Sequence, residues 1–269
     1  MSNSQGKSMD HLKLRYVVTE EHNAPALLKK YNKLRRVAYH TKKYILEYKV
    51  SKAQVEMDLP RTFTESKFLS DVQNQDKIRE IMFVFHTYSN IGYLQGMLFI
   101  LVPLLFLFEK KYTTFWSFVD ITELLRPFYL RLIVNKWSEK PLSMVSEVMT
   151  LWKHCSNNKK ISENTEEMIR FVVQHKMMST LFFSILGKNL ESACLLLEYF
   201  LIDVQRKNMF YCKLKAFAFA VLLSILPHDN QCEVEDVELL STCYLSDQAV
   251  ESLLRTASHS EFFFENGST

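Results

Sequence analysis

Glycine and proline are scarce in this chain, which narrows the range of folds that it can adopt. The 269 residues include only 5 glycines and 6 prolines, about 4% together, whereas globular proteins average about 12%. So few glycines argue against a collagen-like segment, a glycine-rich phosphate loop and a turn-rich β-sandwich. Because few residues break helices, the composition favours helices joined by short polar loops.

Cysteine and histidine patterns that mark disulfide frameworks or metal sites are also missing. The five cysteines form no C-x-x-C pair, and the eight histidines form no H-x-x-x-H or H-E-x-x-H pair. We therefore expect no disulfide framework and no metal site, and a reducing compartment follows as the default. The first fifteen residues contain no apolar core, so they predict no secretory signal peptide and favour a cytoplasmic location.

The apolar runs are too short to cross a membrane. Residues 97–108 (MLFILVPLLFLF) form a run of twelve apolar residues, whereas a transmembrane helix needs about 20. A run of this length is more typical of a buried helix, and we expect a buried helix here. Because residues 216–226 form a second apolar run, a small helical membrane protein with two hydrophobic segments remains an alternative.

Charge is balanced overall but unevenly distributed. The net charge is +3, yet residues 1–50 carry 11 Lys/Arg against 4 Asp/Glu, a net +7, and the remaining residues carry 22 against 26, a net −4. Seven basic residues and no acidic residue lie in the segment 29–43. A solvated helix face explains such a segment, and peripheral contact with an anionic endomembrane surface is the alternative. No nucleic-acid-binding module accompanies the segment, so nucleic acid is not an expected partner.

Apolar residues recur at helical spacing along most of the chain, and no run of strict alternation predicts a strand. A helix is predicted from Asn23 to Tyr48, and further apolar stripes lie at residues 78–88, 142–152, 190–201 and 249–257. The sequence therefore predicts an all-α fold. We expect a helical domain at 23–258, preceded by a polar tail at 1–22 and followed by a tail at 259–269.

Two short segments differ from the helix-forming sequence around them. Residues 55–62 (VEMDLPRT) place Arg61 directly after a proline, where the chain turns or extends. Residues 91–97 (IGYLQGM) place Gln95 near two glycines, immediately before the apolar run. A helix that begins with this run would leave Gln95 beside unpaired backbone N–H groups. These residues alone also allow a purely structural interpretation, in which Arg61 is an ion-pair partner of Asp58 and Gln95 is a helix cap.

Together these two segments resemble the signature motifs of the TBC domain, a family of GTPase-activating proteins for Rab GTPases. Residues 55–62 are similar to the I-x-x-D-x-x-R-T motif of that family, and residues 93–96 (YLQG) are similar to its Y-x-Q-G motif. The motifs occur in the order that the family shows, and the resemblance spans about residues 24–226. It implies a single multi-helix TBC (Rab-GAP) domain.

The resemblance implies a mechanism in which two side chains act on GTP bound to a partner. Arg61 would supply an arginine finger, because a guanidinium offers a fixed fork of donors to the phosphoryl oxygens. Gln95 would replace the glutamine of the GTPase and orient the attacking water. Supporting roles are implied for residues that organise Arg61, fix the loops or permit close packing: Asp58, Thr62, Tyr93, Gly92 and Gly96.

The resemblance also implies what this chain leaves to its partner. GTP and Mg²⁺ would be held by a GTP-bound Rab-type GTPase, so we expect no cofactor and no metal in the chain itself. Such an activator has no substrate turnover of its own and would act in vesicle trafficking. Tyr39 and Met177 stand where the family usually has tryptophan. Because of these departures, the alternative hypothesis is a non-catalytic Rab-binding or scaffold module on the same fold.

Overall fold

The computed structural model describes residues 24–89, 91–134, 139–155, 163–173, 180–183, 189–201, 207–225 and 247–266. Within these ranges the chain forms ten α-helices and two short 3₁₀ helices and contains no strand. The predicted all-α class is confirmed. The expected N-terminal tail at 1–22 lies outside the described residues, and the domain boundaries at 23 and 258 stay predictions.

The helices follow one another in a simple order. The first five are α1 (Ala24–His40), α2 (Lys42–Asp58), α3 (Val72–Tyr88), α4 (Met97–Phe108) and α5 (Lys111–Val134). The 3₁₀ helices Leu59–Arg61 and Lys67–Ser70 lie between α2 and α3. The remaining five are α6 (Glu139–Cys155), α7 (Glu163–Phe171), α8 (Leu190–Leu201), α9 (Lys207–Ile225) and α10 (Asp247–Asn266). The chain divides after Asp120 into two compact units.

Helix α4 is formed by the twelve-residue apolar run and lies in the core of the first unit. Ten of its twelve residues are buried, as expected for a helix without a polar face. The helix begins at Met97, where the sequence predicts a start. No helix in the described part of the chain has the length and apolar character needed to span a membrane.

The helix predicted from Asn23 to Tyr48 is two helices, because Thr41 adopts an extended conformation with φ −104° and ψ 106°. Continuing the buried stripe of α1 by seven residues beyond Ala38 would bury Ile45, which is 45% exposed. The break instead turns the buried side of α2 toward α3. The rings of Tyr39 and Tyr48 both contact Phe83 of α3, at centroid distances of 4.9 and 4.8 Å.

The second unit has its own apolar core. Helix α9 is buried along most of its length, and the stripe predicted at 190–201 is also buried. Two lysines of α9 are buried as well. Lys213 donates to the carbonyl of Tyr199 at 2.8 Å, and Lys215 pairs with Glu147 of α6. Each ammonium group therefore keeps a polar partner in an apolar surrounding.

One expectation about the second unit is corrected in part. In α6 the stripe predicted at 142–152 holds for Val145 and Trp152, which are buried, but Leu142 is exposed, and Met144 and Val148 are fully buried as well. In the segment 259–269, the chain is helical as far as Asn266. Neither glycine nor proline occurs in α10, and Gly267 follows its last residue. The chain therefore has no residue that breaks the helix before that point.

Candidate functional site

The first signature segment is the end of α2 and the 3₁₀ turn that follows it. Val55 and Asp58 face the core from the last turn of α2. The α-helical pattern stops because Pro60 lacks the N–H that the next bond requires. The chain then continues as a 3₁₀ turn to Arg61 and is extended at Thr62, in agreement with the turning or extended segment that the sequence predicts after Pro60. The Arg61 side chain is 58% exposed, so its guanidinium reaches solvent from a helical end.

One carboxylate connects the two signature segments. The Asp58 side chain is only 8% exposed. Its Oδ1 accepts a hydrogen bond from the Arg61 guanidinium, and its Oδ2 accepts one from the Tyr93 hydroxyl. The Thr62 hydroxyl donates to the Asp58 backbone carbonyl at 2.8 Å. Three residues that the sequence singled out, Arg61, Thr62 and Tyr93, are therefore brought together around a fourth, Asp58.

Tyr93 is held as a hydrogen-bond donor. Its ring is buried, and burial raises the pKa of the phenol well above its usual value. The hydrogen bond to the Asp58 carboxylate raises that pKa further. The hydroxyl therefore keeps its proton across the physiological pH range and donates a hydrogen bond to the Asp58 carboxylate.

Phe63 anchors the chain directly after Arg61 and Thr62. Its backbone has a φ of 48°, in the left-handed region that is unfavourable for a bulky side chain. Its side chain is buried, and the ring meets Phe99 of α4 edge to face at 5.4 Å. Such aromatic packing offsets a backbone cost of about 1–2 kcal/mol. Sequence reasoning did not assign this residue a role, since nothing in the pattern indicates a positive φ there.

The second signature segment is shaped by its backbone. Gly92 and Gly96 have φ values of 72° and 98°, which glycine adopts at little cost. Gly96 is the N-cap of α4 and accepts a hydrogen bond from the Phe99 N–H at 3.0 Å. Gln95 is exposed between Leu94 and this cap. No described residue hydrogen-bonds to the Gln95 side chain, so the cap of α4 is Gly96 and not Gln95.

Ser51 and His86 lie next to the second segment, where Ser51 hydrogen-bonds its backbone. The sequence analysis did not identify either residue. The Tyr93 N–H donates to Ser51 Oγ at 3.4 Å, and Ser51 Oγ lies 3.5 Å from His86 Nδ1. A Cβ added to Gly92 would meet these two side chains at 3.7 Å, an ordinary contact distance. The positive φ, and not a lack of space, is therefore what favours glycine at this position.

The arrangement exposes two polar side chains, Arg61 and Gln95, that can form hydrogen bonds to another molecule. A guanidinium and a carboxamide project into solvent from neighbouring motifs, and the buried Asp58–Tyr93 hydrogen bond ties those motifs together. Within the described ranges, histidine, cysteine and acidic side chains form no cluster of three or more with the arrangement of a metal site. The chemistry available here is charge stabilisation and orientation.

Comparison with known proteins identifies a family for this chain and a solved structure with a similar fold. The family model of the Rab-GTPase-TBC domain matches residues 21–226. Among solved structures, the crystal structure of the Ypt/Rab-GAP domain of Gyp1p is similar, with a TM-score of 0.68 and 13% sequence identity. The match covers 95% of this chain and 89% of that chain. At this identity the likeness concerns the fold alone. No curated protein matches the sequence.

Proposed function

Because this chain belongs to the Rab-GTPase-TBC domain family, we propose that it accelerates GTP hydrolysis by a Rab-type GTPase with Arg61 and Gln95. The observation that carries the proposal is the buried Asp58 carboxylate, which bonds both Arg61 and Tyr93. This carboxylate fixes the end of α2 relative to the segment that presents Gln95. Two side chains that must act on one phosphoryl group need such a fixed relation.

Arg61 is proposed as the finger that stabilises charge in the transition state. Its guanidinium has five N–H donors, and one of its nitrogens bonds Asp58. Because the side chain is 58% exposed, the remaining donors are proposed to bind phosphoryl oxygens of a nucleotide held by the partner. A finger supplied in trans raises the hydrolysis rate about 10³–10⁵-fold, equivalent to roughly 4–7 kcal/mol. Asp58 then acts as a positioning residue, since it holds the guanidinium without touching the nucleotide.

Gln95 is proposed as the group that orients the attacking water. Its carboxamide oxygen can accept a hydrogen bond from that water, and its amide group can donate to a neighbouring oxygen. The two left-handed glycines and the start of α4 define the path of the backbone on either side. Gln95 therefore projects from a segment whose shape is set by the backbone, with its side chain exposed for a partner.

The partner GTPase supplies the rest of the site. GTP and Mg²⁺ are proposed to be held by the GTP-bound Rab, and this chain turns over no substrate by itself. The proposed setting is the cytoplasmic face of an endomembrane, in vesicle trafficking.

The test is single-turnover GTP hydrolysis by a panel of Rab GTPases, with and without the full chain. We expect one or more Rabs to be accelerated, and Arg61→Ala and Gln95→Ala each to remove most of that acceleration. The loss for Arg61→Ala should be about 10³-fold or more. Arg255→Ala and Gln73→Ala, at exposed positions elsewhere, are the matched controls and should leave the rate unchanged.

Two results would overturn the proposal. If no Rab is accelerated although one binds, the chain is a non-catalytic Rab-binding module on the same fold. If acceleration survives both substitutions, the fingers are other residues. Circular dichroism and thermal unfolding of each variant show whether a lost rate reflects a lost side chain or a lost fold.

A further inference from the structure

Helix α1 presents a continuous cationic stripe to solvent. Its core side is marked by the buried residues Tyr31 and Ala38. The opposite side carries basic residues at spacings of four and three, which is one face of a helix. All three are exposed: Lys29, Lys33 and Arg36. Arg35 lies on another side of the helix and pairs with Glu80 of α3 at 3.0 Å.

Helix α2 is apolar on two opposite sides. One side is buried and includes Tyr48 and Val55. The other side repeats apolar residues at the same helical spacing and points to solvent. Its members are Leu46, Val50, Ala53 and Met57, and the three large ones are 50%, 70% and 64% exposed. Scattered apolar residues are normal on a surface, but these four form one line about 16 Å long.

Cations surround this apolar line on the surface of α2. Lys42 and Lys49 lie on one flank and Lys43 lies on the other, and all three are exposed. Residues 29–52 contain nine Lys/Arg and one acidic residue, Glu47. That glutamate pairs with Lys43 at 3.8 Å. The apolar line is therefore set in a strongly positive field.

The two stripes point away from a common support. Tyr31 of α1 donates to Glu80 of α3 at 3.0 Å, and Tyr48 of α2 stacks on Phe83 of α3. Each helix turns its buried side toward α3, so the cationic stripe of α1 and the apolar line of α2 both lie on sides away from it. We use the name α1–α2 face for part of these two stripes and the two lysines on one flank of the apolar line: Lys29, Lys33, Arg36, Lys42, Leu46, Lys49 and Val50.

We propose that the α1–α2 face binds the surface of an anionic membrane. The cations would meet lipid phosphates and carboxylates, and Leu46 and Val50 would enter the boundary between headgroups and acyl chains. Charge complementarity selects this occupant. The centre of a protein interface is enriched in aromatic residues, methionine and arginine and depleted in lysine, whereas four of the seven residues of this face are lysines and only one is an arginine. The proposal does not depend on activity toward a GTPase.

The experiment is co-sedimentation of the full chain with two kinds of vesicle, phosphatidylcholine alone and phosphatidylcholine with phosphatidylserine. We expect binding to the anionic vesicles only, and binding should weaken as salt is raised. This measurement uses the unaltered chain, so it tests the proposal even if a variant fails to fold. Absence of binding to the anionic vesicles at low salt overturns the proposal.

Two variants separate the cationic and apolar contributions. The triple change Lys29→Glu, Lys33→Glu and Arg36→Glu should lower vesicle affinity about 100-fold or more, since each cation contributes about fivefold. The pair Leu46→Gln and Val50→Gln keeps the charge and should lower affinity about tenfold or more, because it removes apolar area that would be buried. All five positions are exposed, so we expect unchanged thermal unfolding.

Matched controls place the same changes elsewhere on the surface. Lys67→Glu, Lys110→Glu and Arg255→Glu alter the net charge equally, and Val72→Gln with Leu142→Gln removes two other exposed apolar side chains. Both control variants should keep full vesicle binding. Equal loss in a control overturns the proposal, because binding would not belong to this face. So does a Leu46/Val50 variant that keeps vesicle binding but loses binding to a GTPase, since the face would then be a protein interface.

Discussion

The loops that present Arg61 and Gln95 are both exposed, yet they are built in different ways. The Arg61 loop is held by side chains: the Asp58 carboxylate, the Thr62 hydroxyl and the buried ring of Phe63. The Gln95 loop shares the Asp58 carboxylate through the Tyr93 hydroxyl, but its own course depends on backbone conformation, through two glycines with positive φ. A side-chain contact is lost when the atoms that form it are removed, whereas a backbone with positive φ restricts which residue types can occupy the position. The two loops should therefore respond to different kinds of substitution.

Among the substitutions that test this comparison, the largest effect on stability should come from Asp58→Ala, which removes the group that both loops share. The Tyr93 hydroxyl would be left buried without its acceptor, and Arg61 would lose its ion-pair partner. We expect a loss of about 3 kcal/mol in unfolding free energy, mostly from the Tyr93 side because Arg61 is exposed. We also expect GTPase activation to fall about 100-fold from misplacement of the guanidinium. Urea unfolding and single-turnover hydrolysis measure the two losses.

Asp76→Ala is the matched control for that change. Asp76 also pairs with an arginine, since its Oδ1 accepts from Arg79 at 2.9 Å, but its side chain is 67% exposed. Its loss should cost less than about 1 kcal/mol and should leave activation unchanged. Comparable losses from the two variants would mean that Asp58 has no special place in the site.

An intermediate effect is expected from Tyr93→Phe, which cuts the connection between the loops and leaves Arg61 on Asp58. The ring still fills its buried site, so only the hydrogen bond is lost. A bond to a charged group contributes about 1.5–3 kcal/mol, and we expect the lower end because Arg61 continues to satisfy the carboxylate. Activation should decrease less than in Asp58→Ala. A drop as large as that of Asp58→Ala would show that Tyr93, and not Asp58, organises the Arg61 loop.

Local sequence patterns predicted the all-α class, several of the helices and the position of the two motifs. The start of α4 at Met97 follows from an apolar run behind a glycine, and both features lie within a few residues. The TBC resemblance likewise rests on short spacings, from Val55 to Thr62 and from Tyr93 to Gly96. Interactions between near neighbours in the chain are visible in a single sequence, which is why these expectations agree with the described structure.

Other features depend on contacts between distant residues, and the sequence did not reveal them. Ser51 contacts Tyr93 across 42 residues and His86 across 35 residues, and no spacing rule links such positions. The break at Thr41 contains neither glycine nor proline, so only the packing of two helices on Phe83 explains it. The sequence also did not identify the apolar line of α2 as exposed, because periodicity cannot distinguish the two apolar sides of one helix.

The smallest effect should come from Gly92→Ala, which tests the backbone side of the comparison. An added Cβ fits, since its nearest neighbours would lie at 3.7 Å, but alanine is strained at a φ of 72°. We expect about 1 kcal/mol of destabilisation. Gly92→Asn should cost less despite its larger side chain, because asparagine tolerates the left-handed region better than alanine. An asparagine variant that is less stable than the alanine variant would identify packing, and not φ, as the constraint.

The same substitution can be tied to Gln95 by a double-mutant cycle. If Gly92 acts by shaping the segment that presents Gln95, Gly92→Ala should lower activation in the unaltered chain and have little further effect on top of Gln95→Ala. Its effect on top of Arg61→Lys should be larger than on top of Gln95→Ala, because Gln95 is then still present to be misplaced, even though Arg61 and Tyr93 share the Asp58 carboxylate. If the effect of Gly92→Ala is additive with both Gln95→Ala and Arg61→Lys, Gly92 influences the fold as a whole. The two loops would then not differ in how backbone conformation affects them.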